Sequence, residues 1–221
     1  MRQPLPDSPG AFRPVRIDPM PARDTMTTDV LVVGAGPAGS SAAAWAARSG
    51  LDVLLADSAT FPRDKPCGDG LTPRAVAELR RLGLSAWLSG RAVNRGLRAA
   101  GFGQTLYLPW PGGSLPAHGG AVPRTELDAT IRDVAIASGA KAVEGAQAVD
   151  VQWSGGRVGA VVLRRGPDTV TITCRRLVVA DGARSQLGRR LGRTWHRETA
   201  YGVAARGYVD SARSDDPWIS S

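Results

Sequence analysis

Residues Asp29 to Gly39 read Asp-Val-Leu-Val-Val-Gly-Ala-Gly-Pro-Ala-Gly. The apolar run Val30 to Val33 has the composition of a strand buried on both faces in a parallel sheet. It runs straight into glycines at Gly34, Gly36 and Gly39, the spacing of a dinucleotide-binding turn. Each glycine has its own steric task. Gly34 lets the chain turn sharply out of the strand, Gly36 leaves room for a pyrophosphate against the backbone, and Gly39 lets the following helix pack close to the sheet. The amides at the start of that helix face the phosphate charge, so Gly34, Ala35, Gly36, Pro37, Ala38 and Gly39 form the expected phosphate cradle. Pro37 suits the first helical turn, where a missing N–H costs little.

Three glycines also occur in a plain strand-to-helix turn, so the neighbouring sequence decides. An alanine-rich helix is expected from Pro37 to Ser49, closed by Gly50. A second apolar run, Val53 to Ala56, ends at Asp57, an acid about 20 residues beyond the glycines and in the place of one that binds ribose hydroxyls. The unit is therefore β-α-β with a nucleotide at its head, and at this point the nucleotide is open.

Composition narrows the function classes. With 221 residues the chain can bury a full core of one domain or a domain and a half. A hydrophobic content of 43% and a charged content of 22% are ordinary for a globular protein. The net charge of +8 comes almost wholly from arginine, since Lys65 and Lys141 are the only lysines. No dense basic run is interleaved with aromatics, which argues against a nucleic-acid partner. A basic surface suits anionic cofactors or an anionic membrane face. Cys67 and Cys174 stand far apart, against a disulfide scaffold or a structural zinc and for a reducing compartment. His118 and His196 are isolated, so no metal site is expected. No apolar stretch approaches the roughly 18 residues needed to span a bilayer. The segment to about Thr28 holds five prolines before Met20 and no apolar core of a secretory signal. It reads as a disordered tail over residues 1–28, with Met26 standing just before the first strand as an alternative start.

Beyond Asp57, a loop from Ser58 to Leu71 leads to Thr72 and Pro73, an N-cap and first-turn pair. The helix they open carries Val76, Leu79 and Leu82 on one face and stops at Gly83. Leu84 to Leu88 has the length of a short helix, Arg95 to Leu108 reads as a pair of strands, and Trp110 to Gly120 as a Pro/Gly-rich loop. Arg124 begins a second helix, Thr125 to Ser138, with Leu127, Ile131, Val134 and Ala135 buried. Lys141 to Glu144 is a short strand. Three alternating stretches follow: Val149, Val151 and Trp153; Val158, Ala160 and Val162; Val170, Ile172 and Cys174, with turns at Ser154-Gly155-Gly156 and Gly166-Pro167-Asp168. Leu177 to Ala180 is expected as a separate buried strand ending at Asp181-Gly182. A short helix should cover Ser185 to Leu191, and a further strand should begin within Tyr201 to Val209.

The fold class is thus α/β, a doubly wound Rossmann-like sheet with an antiparallel β-meander as crossover. Nicotinamide domains normally cross over by helices. The meander points instead to the FAD-binding members of the doubly wound class, of the aromatic-hydroxylase type.

At Lys-Pro-Cys-Gly-Asp-Gly-Leu-Thr-Pro-Arg-Ala-Val (Lys65 to Val76) the sequence resembles the geranylgeranyl reductase family of flavoproteins. It is most similar to those members that hydrogenate one isoprene unit of a menaquinone side chain. The glycine turn, Val122 to Asp128, Val178 to Ser185 and Trp195 to Gly202 agree. The resemblance implies FAD as cofactor, a polyprenyl lipid or quinone as substrate, and NAD(P)H or a redox protein as electron donor. It implies a cytoplasmic protein, peripheral on the inner face of the cell membrane. It also places Arg124 beside FAD, where a guanidinium suits phosphate oxygens, the backbone of Ala148 near adenine, and Asp181-Gly182 at the ligand-collecting end of a strand. The loop Cys67, Gly68, Asp69 and Gly70 would border the flavin ring. Saturating an alkene there takes a hydride from the flavin and a proton from elsewhere, and Cys67 or a buried Asp69 are the candidate proton carriers. Other readings stay open: a solvated arginine at 124, sheet packing at Ala148, a plain turn at Asp181, and a small packed residue at Cys67.

Family members run on for roughly as long again. The expected organisation is an FAD-binding domain over 29–195, with 84–122 contributing to the substrate side, and the beginning of a substrate domain over 196–221. A truncated chain, inactive alone, follows from that reading. The alternatives are a flavin monooxygenase of the aromatic-hydroxylase type and a non-catalytic FAD-binding remnant.

Overall fold

The computed structural model describes residues 25–194, 198, 200 and 202–220. Strand β1 (Thr25–Val33) leads through the glycine turn into helix α1 (Pro37–Arg48), and β2 (Val53–Asp57) follows. Next come strand β3 (Gly70–Leu71), helices α2 (Pro73–Arg81) and α3 (Ser85–Ser89), and strands β4 (Ala92–Asn94), β5 (Gly96–Gly101), β6 (Gln104–Pro109) and β7 (Gly119–Ala121). Helix α4 (Arg124–Ala137) precedes β8 (Lys141–Glu144), β9 (Gln147–Ser154), β10 (Arg157–Arg165) and β11 (Asp168–Val179). Helix α5 (Gln186–Arg190) and strand β12 (Trp218–Ser220) complete the order. The described chain forms two compact units, one from residues 25–65 and 124–204, the other from 66–123 and 205–220.

The first unit is built on a six-stranded sheet in the order β8-β2-β1-β11-β10-β9. Its first four strands are mutually parallel, and β10 and β9 continue it antiparallel. Central strand β1 sets Val30 to Val33 beside Val53 to Ala56 on one side and Arg176 to Val179 on the other. Alternation divides these strands between two faces. Leu31, Val33, Leu54 and Ala56 join Val143, Val161, Leu163, Val170, Ile172 and Leu187 in one core. Val30, Val32, Val53 and Leu55 are buried on the opposite side. Helix α1 packs against β1, β2 and β11, with α4 against α1. It buries only small residues, Gly39, Ser40, Ala43 and Ala44, which lets its backbone come close to the sheet.

The second unit holds α2, whose Thr72 Oγ1 accepts from the Ala75 N–H at 3.3 Å and whose Val76 and Leu79 are buried. Strands β3, β7 and β4 form one antiparallel sheet. Strands β5 and β6 form a hairpin through Phe102-Gly103, with β12 parallel to β5. Both loop residues have positive φ, as a two-residue turn matched to strand twist requires.

Four expectations are corrected. The tail reading reached residue 28, but Thr25 to Thr28 belong to β1; residues 1–24 lie outside the described residues. Cys174 and Leu177 belong to a single strand, because β11 runs unbroken past Arg175 and Arg176 along the full length of β1. Its last residues, Leu177 to Val179, are half-buried. In β10 a register shift between Val158 and Ala160 flips the alternation, so Val161 and Leu163, not Val162, are fully buried; Trp153 is exposed. Residues 202–209 form no strand. His196 and most of the Trp195 to Gly202 block fall outside the described residues.

Candidate functional site

The glycine turn sits at the C-terminal end of β1, where parallel sheets collect ligands. Gly34 has φ +102°, and a Cβ there would meet Ala180 O at 2.3 Å. A Cβ on Gly39 would lie 1.8 Å from Gly34 O, so α1 could not start where it does with any larger residue. Among the described residues, a Cβ on Gly36 would meet only the far end of Arg63 within 4 Å, its Nη2 at 3.4 Å. The space over Gly36 is therefore kept clear of backbone. Gly36 is the N-cap of α1, which has no side-chain cap and no acid in its first turn. The Ala38 and Gly39 amides are at the positive end of the helix, with Pro37 contributing no N–H.

Asp57 ties this turn to the chain after β2. Its Oδ2 accepts from the Ala35 N–H at 2.6 Å and its Oδ1 from the Ala59 N–H at 2.8 Å. Each oxygen keeps a lone pair, which suits ribose hydroxyls. Asp181 follows β11, and the Ala180 N–H donates to Val33 O at 2.7 Å, holding this corner against the end of β1. Asp181 Oδ2 accepts from the Leu187 N–H at 3.2 Å, but Oδ1 is buried without a hydrogen-bond partner. A buried carboxylate oxygen left unpaired is costly, and a bound hydroxyl or amide would satisfy it. Gly182, at φ +90°, has open space around its α-carbon. Ala148 is buried in the core opposite Leu163 on β9, the outer strand of its sheet. Its methyl is thus a packing group, and only its backbone faces the sheet edge.

Arg124 opens α4, and Asp128 one turn on receives its Nε and Nη2, each at 2.7 Å. This is a bidentate pair on a fully buried carboxylate. The same carboxylate holds Arg63, whose Nη1 lies 3.1 Å from Asp128 Oδ2. Sequence reading named Arg124 but neither Arg63 nor Asp128. Asp128 did stand four residues after Arg124, the spacing of a helical ion pair, and that was the available signal. The unpaired Asp181 oxygen, the uncapped helix start, the clear space at Gly36 and the arginines on Asp128 together fit a dinucleotide carrying a pyrophosphate.

The Cys67 loop belongs to the second unit. Cys67 is half-buried with a free thiol. Asp69 is buried at φ 55° and its carbonyl accepts from the Val122 N–H at 2.9 Å. Asp69 Oδ2 accepts from the Tyr208 hydroxyl at 2.6 Å, and Arg206 Nη1 lies 3.5 Å from Oδ1 while its guanidinium stacks on the Tyr208 ring. Arg206 and Tyr208 are the partners sequence reading missed, because residues 205–209 read as plain strand. A Cβ on Gly68 would meet nothing within 4 Å, and one on Gly70 would lie 3.5 Å from Ile219 and 3.9 Å from Gly68 O, ordinary contacts, so no described neighbour requires glycine at either position.

Residues 27–216 match the family model described as "FAD binding domain". A menaquinone reductase of Mycolicibacterium smegmatis is 63% identical over 194 residues, 87% of this chain and 47% of that protein. A digeranylgeranylglycerophospholipid reductase of Picrophilus torridus is 31% identical over 74% of this chain and 41% of its own. Among solved structures, a geranylgeranyl bacteriochlorophyll reductase-like protein from Thermoplasma acidophilum superposes with a TM-score of 0.68 at 28% identity, covering 76% of this chain and 43% of that one. The chain spans about half the length of the curated relatives it matches. A glycine cradle with an uncapped helix start, an acid after β2 and a meander beside the parallel strands all agree with the matched model: the chain belongs to the FAD binding domain family.

Proposed function

We propose that the chain is the FAD-holding part of a reductase that saturates one isoprenoid double bond, with the side chain of menaquinone as substrate. The observation that carries this is the 63% identity, over 87% of the chain, with a protein named menaquinone reductase. Residues Gly34 to Gly39 hold the pyrophosphate, Asp57 the adenosine ribose, and Arg124, the Ala148 backbone and Asp181-Gly182 further parts of the cofactor. FAD, when bound, supplies the hydride chemistry. The second unit, with Cys67, Gly68, Asp69 and Gly70, forms the substrate side. There the proton comes by way of Cys67 Sγ or the Asp69 carboxylate. Tyr208 and Arg206 hold that carboxylate in one place, so a proton arriving at Oδ2 is handed on from a fixed atom.

The electron donor is NAD(P)H or a redox protein. The lipid substrate is met at the membrane surface by peripheral contact; among the described residues no helix is long and apolar enough to cross a membrane. The test is to load the full chain, alone and with the other half of a menaquinone reductase relative supplied, with FAD, a chemical reductant and menaquinone. Mass spectrometry should find a quinone carrying two added hydrogens in its side chain. Oxygen uptake with hydroxylated product and no saturated side chain would replace this reading with the monooxygenase one.

A further inference from the structure

The loop after β2 is anchored by contacts that converge on Arg63. Phe61 is buried and its N–H donates to Glu144 Oε2 at 2.9 Å. The guanidinium of Arg63 lies 5.0 Å from the centre of that ring, and the guanidinium of Arg132 lies 5.1 Å from it. Arg63 Nη1 is held by the buried Asp128 carboxylate, and Nη2 reaches the space over Gly36. A guanidinium pinned at one nitrogen and stacked on a ring has already lost most of its side-chain freedom. Its other nitrogen lies beside the N-cap of α1, the positive end of a helix dipole. Cation and helix N-terminus repel each other unless an anion lies between them. The first turn of α1 carries no acid, and the carboxylates nearby are already engaged, Asp128 by the two arginines and Asp57 by the Ala35 and Ala59 amides.

The geometry points to Arg63 as a phosphate-binding residue of the FAD site, acting opposite the α1 amides, with Asp128 as the positioning residue that aims it. Asp128 spends one oxygen wholly on Arg124 and shares the other between Arg124 and Arg63, so the two arginines form one rigid bracket. This assignment concerns cofactor binding and stands apart from the reduction proposed above.

The experiment compares three ligands on the full chain by calorimetry or flavin fluorescence. FAD and ADP carry the pyrophosphate; adenosine does not. Arg63→Ala should weaken FAD and ADP by a similar factor, about 10- to 100-fold for a lost charge-assisted contact, and leave adenosine nearly unchanged. It should also flatten the salt dependence of ADP binding, and Arg63→Lys should recover part of the loss. Asp128→Asn should reproduce the ADP-selective loss, with its thermal unfolding followed in parallel. An equal loss for adenosine, or no loss for any ligand, would overturn the assignment. So would a wild-type chain that binds neither FAD nor ADP, because every contact invoked lies within this chain. Failure to reduce menaquinone with these affinities intact would count against the reductase reading alone.

Discussion

Gly34, Gly36 and Gly39 answer to different neighbours, and substitution separates them. Alanine at Gly39 puts a methyl into the Gly34 carbonyl, and alanine at Gly34 strains a positive φ against Ala180. Either should cost the unliganded fold about 1–3 kcal/mol or more. Gly36 has φ −71°, ordinary for alanine, and only the flexible end of Arg63 nearby. Gly36→Ala should therefore keep stability within about 0.5 kcal/mol and still weaken FAD at least about tenfold, because on the proposed binding mode the methyl takes the space of the pyrophosphate. Thermal unfolding without ligand, set beside a flavin titration, checks the contrast; equal destabilisation at Gly36 and Gly39 would contradict it. A second residue-scale effect concerns acid. The Asp52 N–H, and then Arg175, hold the Asp29 carboxyl below the usual carboxylate range, at donor distances of 3.0 and 3.1 Å. A carboxyl depressed in the fold contributes stability above its unfolded pKa of about 4 and loses it as pH falls through the folded value. Asp29→Asn should thus lower the melting temperature near neutrality and make it less sensitive to acid. A mutant curve parallel to wild type down to about pH 2 would rule this out.

Between elements, a buried ion pair in the first unit joins Arg132 on α4 to Glu144 at the end of β8. The second oxygen of Glu144 holds Phe61, so one carboxylate joins helix, sheet edge and the loop that aims Arg63. Glu144→Ala leaves the buried Phe61 N–H unpaired and Arg132 with Asp133 as its remaining carboxylate, and should destabilise by about 2 kcal/mol, measurable by urea unfolding. A change under about 1 kcal/mol would mean the pair is dispensable. This tie also marks how far the sequence could be read. The β1-turn-α1-β2 unit was legible because its signals are local: an apolar run, glycines at fixed spacing, an acid at the next strand end. Helix α4 was legible from the 3.6-residue stripe of Leu127, Ile131 and Val134. The meeting of Arg63 with Asp128 was not, because residues 66–123 separate the two and no spacing rule crosses such an excursion. Strand β11 was read as two because Arg175 and Arg176 interrupt its alternation. Ladder hydrogen bonds run through the backbone, though, and β1 pairs across that point with Val30 opposite Arg176. In β10 the register shift moved the buried phase by one residue, which alternation alone does not signal.

For the whole molecule, the charge of +8 and the exposed apolar groups bear on the proposed contact with a lipid surface. The β5–β6 hairpin presents Phe102 at its tip, fully exposed in a left-handed conformation that a bulky residue adopts only at cost. Leu106, Tyr107 and Leu108 are exposed along β6 behind it. An aromatic on a two-residue turn is not explained by packing within its unit, since β6 buries none of its residues. Peripheral contact with a membrane needs an apolar group that enters the headgroup region and a positive charge that holds the protein near anionic lipid. The chain has both. It should therefore co-sediment with vesicles containing phosphatidylglycerol at low salt, bind neutral phosphatidylcholine vesicles less, and be released as salt shortens the reach of its charge. Phe102→Ser should reduce retention on the anionic vesicles while leaving the melting temperature and FAD affinity unchanged, because the residue touches neither core nor cofactor cradle. Retention that is insensitive both to salt and to Phe102 would remove the membrane contact from the proposal and leave the lipid to be delivered by some other route.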